Sequence, residues 1–152
     1  MFRERARGFS LGSLAAILSV LLPNHSSAQV PVDTAAAIRE ARIAATEWLE
    51  TVDEGKYAES WDEAASAFHQ AVTQPAWENA VRQARTPYEP FGTRQESMAQ
   101  YTAELPNAPP GQYVILQYQT SVAGSRQVVE TVVPVYDGER GWRVSGYYVR
   151  PM

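Results

Sequence analysis

The sequence predicts an α+β fold in which three N-terminal helices pack on a curled four-stranded antiparallel sheet. Two observations predict it. Apolar residues recur at three- and four-residue intervals between Ile38 and Ala84, the spacing of one helix face. After the segment RTPYEPFG, whose two prolines and glycine break helix, the pattern changes to strand-like runs separated by turn sequences.

The first helix opens at Asp33 or Thr34, either of which can cap it, and its core face is Ile38, Ala41, Ala45, Trp48, Leu49 and Val52. Gly55 is its natural stop, since glycine tolerates the left-handed backbone that ends helices. A second stripe, Trp61, Ala64, Ala65, Phe68 and Val72, predicts one further helix. The third begins at Pro75, a residue suited to a first helical position, and carries Trp77, Val81 and Ala84. Strands are expected over about 93–103, 112–122, 127–136 and 142–150, joined by LPNAPPG, AGSR and DGERG. Each linker holds glycine, which supplies the positive backbone angles of tight turns.

Glu130 is the most informative charge. In VVETVVPV one face is Val129, Thr131, Val133 and Val135, and the other, Val128, Val132, Pro134 and Tyr136, is nearly as apolar. A strand apolar on both sides is covered on both sides, so Glu130 enters a poorly hydrated region and needs a partner. Pairing Tyr136 with Trp142 across DGERG sets Glu130 opposite Tyr148 and diagonal to Arg150, with Arg94 as a further partner. Arg94, Glu130 and Tyr148 are therefore the candidate ligand-binding residues, with a structural ion pair as the competing reading. On that register Trp142, Val144, Gly146 and Tyr148 share the face of Glu130, while Tyr147 and Val149 join Val129 and Val133. No catalytic residue is assigned.

The N-terminus reads as a signal peptide. Arg3, Arg5 and Arg7 precede a 14-residue apolar run from Phe9 to Leu22, and Ser26 and Ala28 are small at the positions that precede a cut after Ala28. The run falls short of the roughly 20 residues that span a membrane. The expected organisation is a signal at 1–28, a linker at 29–33 and a single domain at 34–152, exported to the periplasm or beyond, with no membrane attachment after cleavage. Removing three arginines and one glutamate from the full chain's −4 leaves a net charge of −6, which argues against nucleic acid as partner. The chain has no cysteine, and His69 is the one histidine outside the signal, so neither a disulfide, a zinc site nor a cofactor is expected. Asp62 and Glu63 suit a helix start, and Asp53 is expected to bond the turn at Lys56–Tyr57.

Several strings in order, WLETVDEGKYAESWDEAASAF, RTPYEPFGTR, LPNAPPGQYVILQYQTS and ETVVPVYDGERGWRVSGYYVR, resemble the exported bacterial family known as domain of unknown function 4019 over most of residues 48–150. The resemblance implies a small exported α+β domain and supplies no catalytic residue. The order of helices and strands also resembles the cone-shaped nuclear-transport-factor-two-like fold.

Two function classes follow. The leading one is a non-enzymatic binding or assembly module, with a possible homodimer through the sheet face because the strands are apolar on both sides. The other is an isomerase- or dehydratase-like enzyme with Glu130, Tyr148 and His69 around an apolar cavity. An inhibitor of a basic partner would rest on the acidic balance alone. A Glu130 saturated by arginine favours the module, and one without an arginine neighbour favours the enzyme.

Overall fold

The first helix, α1 (Thr34–Asp53), starts where Asp33 takes an extended backbone and its carboxylate accepts the Ala36 N–H at 2.9 Å. The computed structural model describes residues 32–152, so the signal peptide expected at 1–28 and the linker up to 31 lie outside the described residues. The helix buries Ala37, Ala41, Ala45, Trp48, Leu49 and Val52, the predicted stripe displaced by one residue at its start. It ends before Gly55, which takes φ +74°.

The second predicted helix is two. α2 (Tyr57–Glu63) and α3 (Ser66–Ala71) are separated by Ala64 and Ala65, both extended and both fully buried. The Ala65 N–H donates to the Val144 carbonyl at 2.8 Å, so a bond to the sheet interrupts the helix. Asp137, from the turn after the third strand, accepts the Ser66 N–H and hydroxyl, both at 2.9 Å, and so opens α3 from a distance. No local pattern foretells this break, because both bonding partners lie far along the chain, Asp137 being 71 residues from Ser66. The last helix, α4 (Gln74–Arg85), holds Pro75 in its first turn as expected.

Four strands follow, β1 (Phe91–Thr102), β2 (Tyr113–Val122), β3 (Arg126–Tyr136) and β4 (Trp142–Pro151), in one antiparallel sheet of sequential order. The fold is thus α+β, with the meander close to the predicted bounds. Tyr136 pairs with Trp142 as expected, but the register then slips: Pro134 faces Val144 while Val133 faces Gly146, leaving Ser145 as an extra residue. Proline has no N–H for the ladder and is confined within sheets to edges and bulges. Ser145 Oγ donates to the Val133 carbonyl at 2.8 Å, which fastens the bulge.

That one residue corrects the face assignment for the far half of β4. Trp142, Val144, Tyr147 and Val149 turn toward the helices, and Gly146 and Tyr148 turn away; Tyr148 is 65% exposed. The core under the helices joins Leu116, Val132 and Val144 to the rings of Trp48, Trp77 and Tyr147. Ser60 ties the tryptophans together: its carbonyl accepts the Trp48 indole N–H at 2.7 Å and its hydroxyl that of Trp77 at 3.0 Å. On the other face Val133 and Val135 are covered by Leu105 and Ala108 of the β1–β2 loop. Both faces of β3 are therefore covered, as its composition requires, and the cover comes from within the chain.

Candidate functional site

At the C-terminal ends of α1 and α4 the helices deliver charge to the sheet. Residues 77, 81 and 85 lie on one face of α4, and all three are buried: Trp77, Val81 and Arg85. Arg85 is only 2% exposed, with its guanidinium 3.7 Å from the centre of the Phe91 ring. Asp53 ends α1, Arg94 comes from β1, Thr120 from β2, Glu130 from β3 and Tyr147 from β4.

These six side chains form one network around Glu130, which has no exposed surface. Arg94 donates from Nε to Glu130 Oε2 at 2.6 Å and from Nη2 to Oε1 at 3.1 Å. Thr120 donates its hydroxyl to Oε2 and Tyr147 donates its own to Oε1, each at 2.6 Å. Arg85 Nη1 reaches Tyr147 Oη at 2.8 Å and Glu130 Oε1 at 3.5 Å. Asp53 bridges the two arginines, accepting from Arg85 Nη2 at 2.6 Å and from Arg94 Nη1 and Nη2 at 2.6 and 2.9 Å. Two guanidiniums face two carboxylates, so the cluster is neutral, which is the condition for burying charge without a large penalty.

That arrangement sets the protonation of its members. Burial raises the Asp53 carboxyl, but the bonds and charges of Arg94 and Arg85 together outweigh it and hold the group below its ordinary range. Burial opposes the charge on Arg94, and its bonds to Asp53 and Glu130 overcome this and raise it. Burial, then the charge of Glu130, pushes the Tyr147 phenol far up, so that it stays a neutral donor.

Chemically the site is a clamp. Both Glu130 oxygens have their lone pairs occupied, by five bonds in all, and none is left to take a proton from a substrate. The structure brings Arg94 and Glu130 together as the sequence suggested. It does not bring Tyr148: the bulge puts Val149 opposite Glu130 and sends the Tyr148 ring to the outer face. Arg150 is exposed and pairs with Val129, so it is no partner either. His69 stands apart, its Nε2 2.6 Å from the Trp61 carbonyl and its ring tilted by 33° against that of Trp61 with centres 4.2 Å apart. Asp53 serves the arginines rather than the Lys56–Tyr57 turn.

Sequence reasoning missed Arg85, Thr120 and Tyr147. The first had a signal, since it continues the i+4 row of Trp77 and Val81, and the second continues the inward alternation of Leu116 and Tyr118. Tyr147 had only Pro134 to announce it. Beside the cluster, a cleft of about 510 Å³ is lined by Asp53, Tyr57, Arg85, Glu89 and Phe91. Among the described residues no group of three or more acidic or histidine side chains could hold a metal ion.

The family model for a protein of unknown function, DUF4019, matches residues 44–147. The chain belongs to this family. Every member of the Glu130 cluster except Tyr147 falls well inside the matched span, and Tyr147 is its last residue. No curated protein and no solved structure matches the chain.

Proposed function

We propose that this DUF4019 protein is an exported, non-enzymatic binding or assembly module, cut from its signal peptide after Ala28 and built on a cone of the nuclear-transport-factor-two-like kind. The observation that carries the reading is the saturation of Glu130 by Arg94, Arg85, Thr120 and Tyr147. In an acid–base enzyme this inward carboxylate would need a free lone pair facing a cavity. Here it ties β3 to β1, β2, β4 and α4. Helices followed by an antiparallel meander support the cone, and the basic, apolar and small-residue sequence of residues 1–28 supports export.

The two-sided apolar character of β3 no longer argues for a second copy on the outer sheet face, because Leu105 and Ala108 cover Val133 and Val135.

The test is Glu130→Gln, which keeps the shape and removes the charge. A structural clamp predicts a clear loss of stability in urea unfolding. A variant as stable as the parent would contradict the reading, because it would leave Glu130 free for a role in turnover.

A further inference from the structure

The β1–β2 loop covers Val133 and Val135 but leaves Tyr148, on the same outer face, 65% exposed. Between that loop, β4 and α3 lies a cleft of about 460 Å³, within the range that takes small molecules. Its walls come from distant parts of the chain. The Ala65 N–H bond to the Val144 carbonyl, at 2.8 Å, holds α3 beside β4 and brings Ala67 and Ala71 to the cleft. The loop contributes Leu105, Pro106 and Ala108, and two bonds fasten it: the Tyr113 hydroxyl donates to the Pro109 carbonyl at 2.7 Å and the Gly111 N–H to the Ala103 carbonyl at 3.0 Å. Pro106, Pro109 and Pro110 fix the backbone between those bonds, so this wall is formed before anything binds. The sheet supplies Val133 and Gly146. A Cβ built on Gly146 would meet the Tyr148 ring at 3.4 Å, so the ring lies back along β4 against the bare glycine.

Although 20% of the chain's residues are charged, none of those that line this cleft is. The cleft beside the Glu130 cluster, lined by Asp53, Arg85 and Glu89 among others, is of the opposite kind. An ion entering the uncharged cleft would give up water and meet no counter-charge, whereas an apolar molecule gains by leaving water. Of the hydroxyls that line it, that of Tyr113 is committed to Pro109 and that of Ser145 to the Val133 carbonyl, while that of Tyr148 bonds no group among the described residues. We infer that this cleft binds an uncharged, mainly apolar small molecule, which packs on Val133, Gly146 and the Tyr148 ring and accepts a hydrogen bond from the Tyr148 hydroxyl. The inference rests on the reading of the chain as a binding module and names the site and the ligand class.

Fluorescence titration of the purified protein with two dyes tests it: N-phenylnaphthylamine, which is uncharged, and anilinonaphthalene sulfonate, which carries the same rings and an anion. The uncharged dye should bind saturably and at least about tenfold more tightly than the anion, since only the anion brings a charge that the cleft cannot pair. Ala71→Trp fills the cleft from an exposed position on α3 and Tyr148→Ala removes a wall. Each should weaken binding of the uncharged dye by about tenfold or more, with the urea midpoint unchanged. Tyr148→Phe keeps the ring and loses only the donor, so its loss should be the smaller. Ile43→Ala, at an exposed apolar residue of α1 outside the cleft, should leave binding as it is. The inference is overturned if the uncharged dye does not bind saturably, if the anion binds as tightly, or if binding is indifferent to both Ala71→Trp and Tyr148→Ala, which would place the dye elsewhere. The module reading is judged separately by the unfolding of Glu130→Gln, which does not involve this cleft.

Discussion

The helix–sheet interface has two ends made of different materials. Under the middle of α1 and α4, Trp48, Trp77, Phe68 and Tyr147 pack at tilted and edge-to-face angles, with ring centres 5.1–6.3 Å apart. Under the helix C-termini, Arg85, Arg94, Asp53 and Glu130 meet through directed bonds. Tyr147 belongs to both, its ring in the aromatic layer and its hydroxyl on Glu130. An aromatic layer tolerates small shifts because dispersion and apolar burial depend weakly on angle. A charge cluster does not, because each guanidinium must meet its carboxylate in the plane. The charged end therefore specifies how the helices sit on the sheet, and the aromatic end supplies apolar burial.

The comparison can be broken from either side. Glu130→Ala should cost about 3–5 kcal/mol, because it leaves two arginines facing an empty site. Trp77→Ala should cost a similar amount, about 3–5 kcal/mol, through lost area and a cavity. The two differ in their remedy: Trp77→Phe should recover much of the loss, whereas Glu130→Gln should recover little. Denaturant midpoints at a constant slope check all four.

Tyr147→Phe tests the joint. The ring stays in the aromatic layer while Glu130 Oε1 and Arg85 Nη1 each lose a partner, so about 1–3 kcal/mol should go. A neutral result would mean that the hydroxyl is a passenger.

Acid should act on the charged end first. The folded-state pKa of Asp53 lies below its ordinary value of 3.8, so its contribution is complete above that value and is lost as pH falls through the folded-state pKa. Unfolding free energy should accordingly fall below about pH 4 in the parent, and by less in Asp53→Asn. Equal slopes in the two proteins would show that Asp53 is not linked to folding. The smallest effect is expected at the bulge, where Ser145→Ala removes one bond to the Val133 carbonyl and should cost about 1 kcal/mol.

The elements were legible in the sequence wherever their cause is local. Helix periodicity, the cap at Asp33, the stop at Gly55 and the turn sequences act over a few residues, and the four strands follow from composition and alternation. Glu130 was legible as a charge in need of a partner because its neighbours on both faces are apolar, and Arg94 was the right partner. Membership of the DUF4019 family was legible too, in strings spread across most of the chain.

What only the tertiary structure decided depends on contacts between distant residues. The break at Ala64–Ala65 is made by Val144 and Asp137, and the choice of Tyr147 over Tyr148 is made by one extra residue opposite a proline. A strand's side chains alternate with a period of two, so a single inserted residue exchanges every face beyond it. Local pattern carries no record of the insertion's position except Pro134, whose missing N–H makes a regular ladder impossible at that point. The sequence thus determined that a buried carboxylate exists, and the folded chain determined which tyrosine, which second arginine and which aspartate complete it.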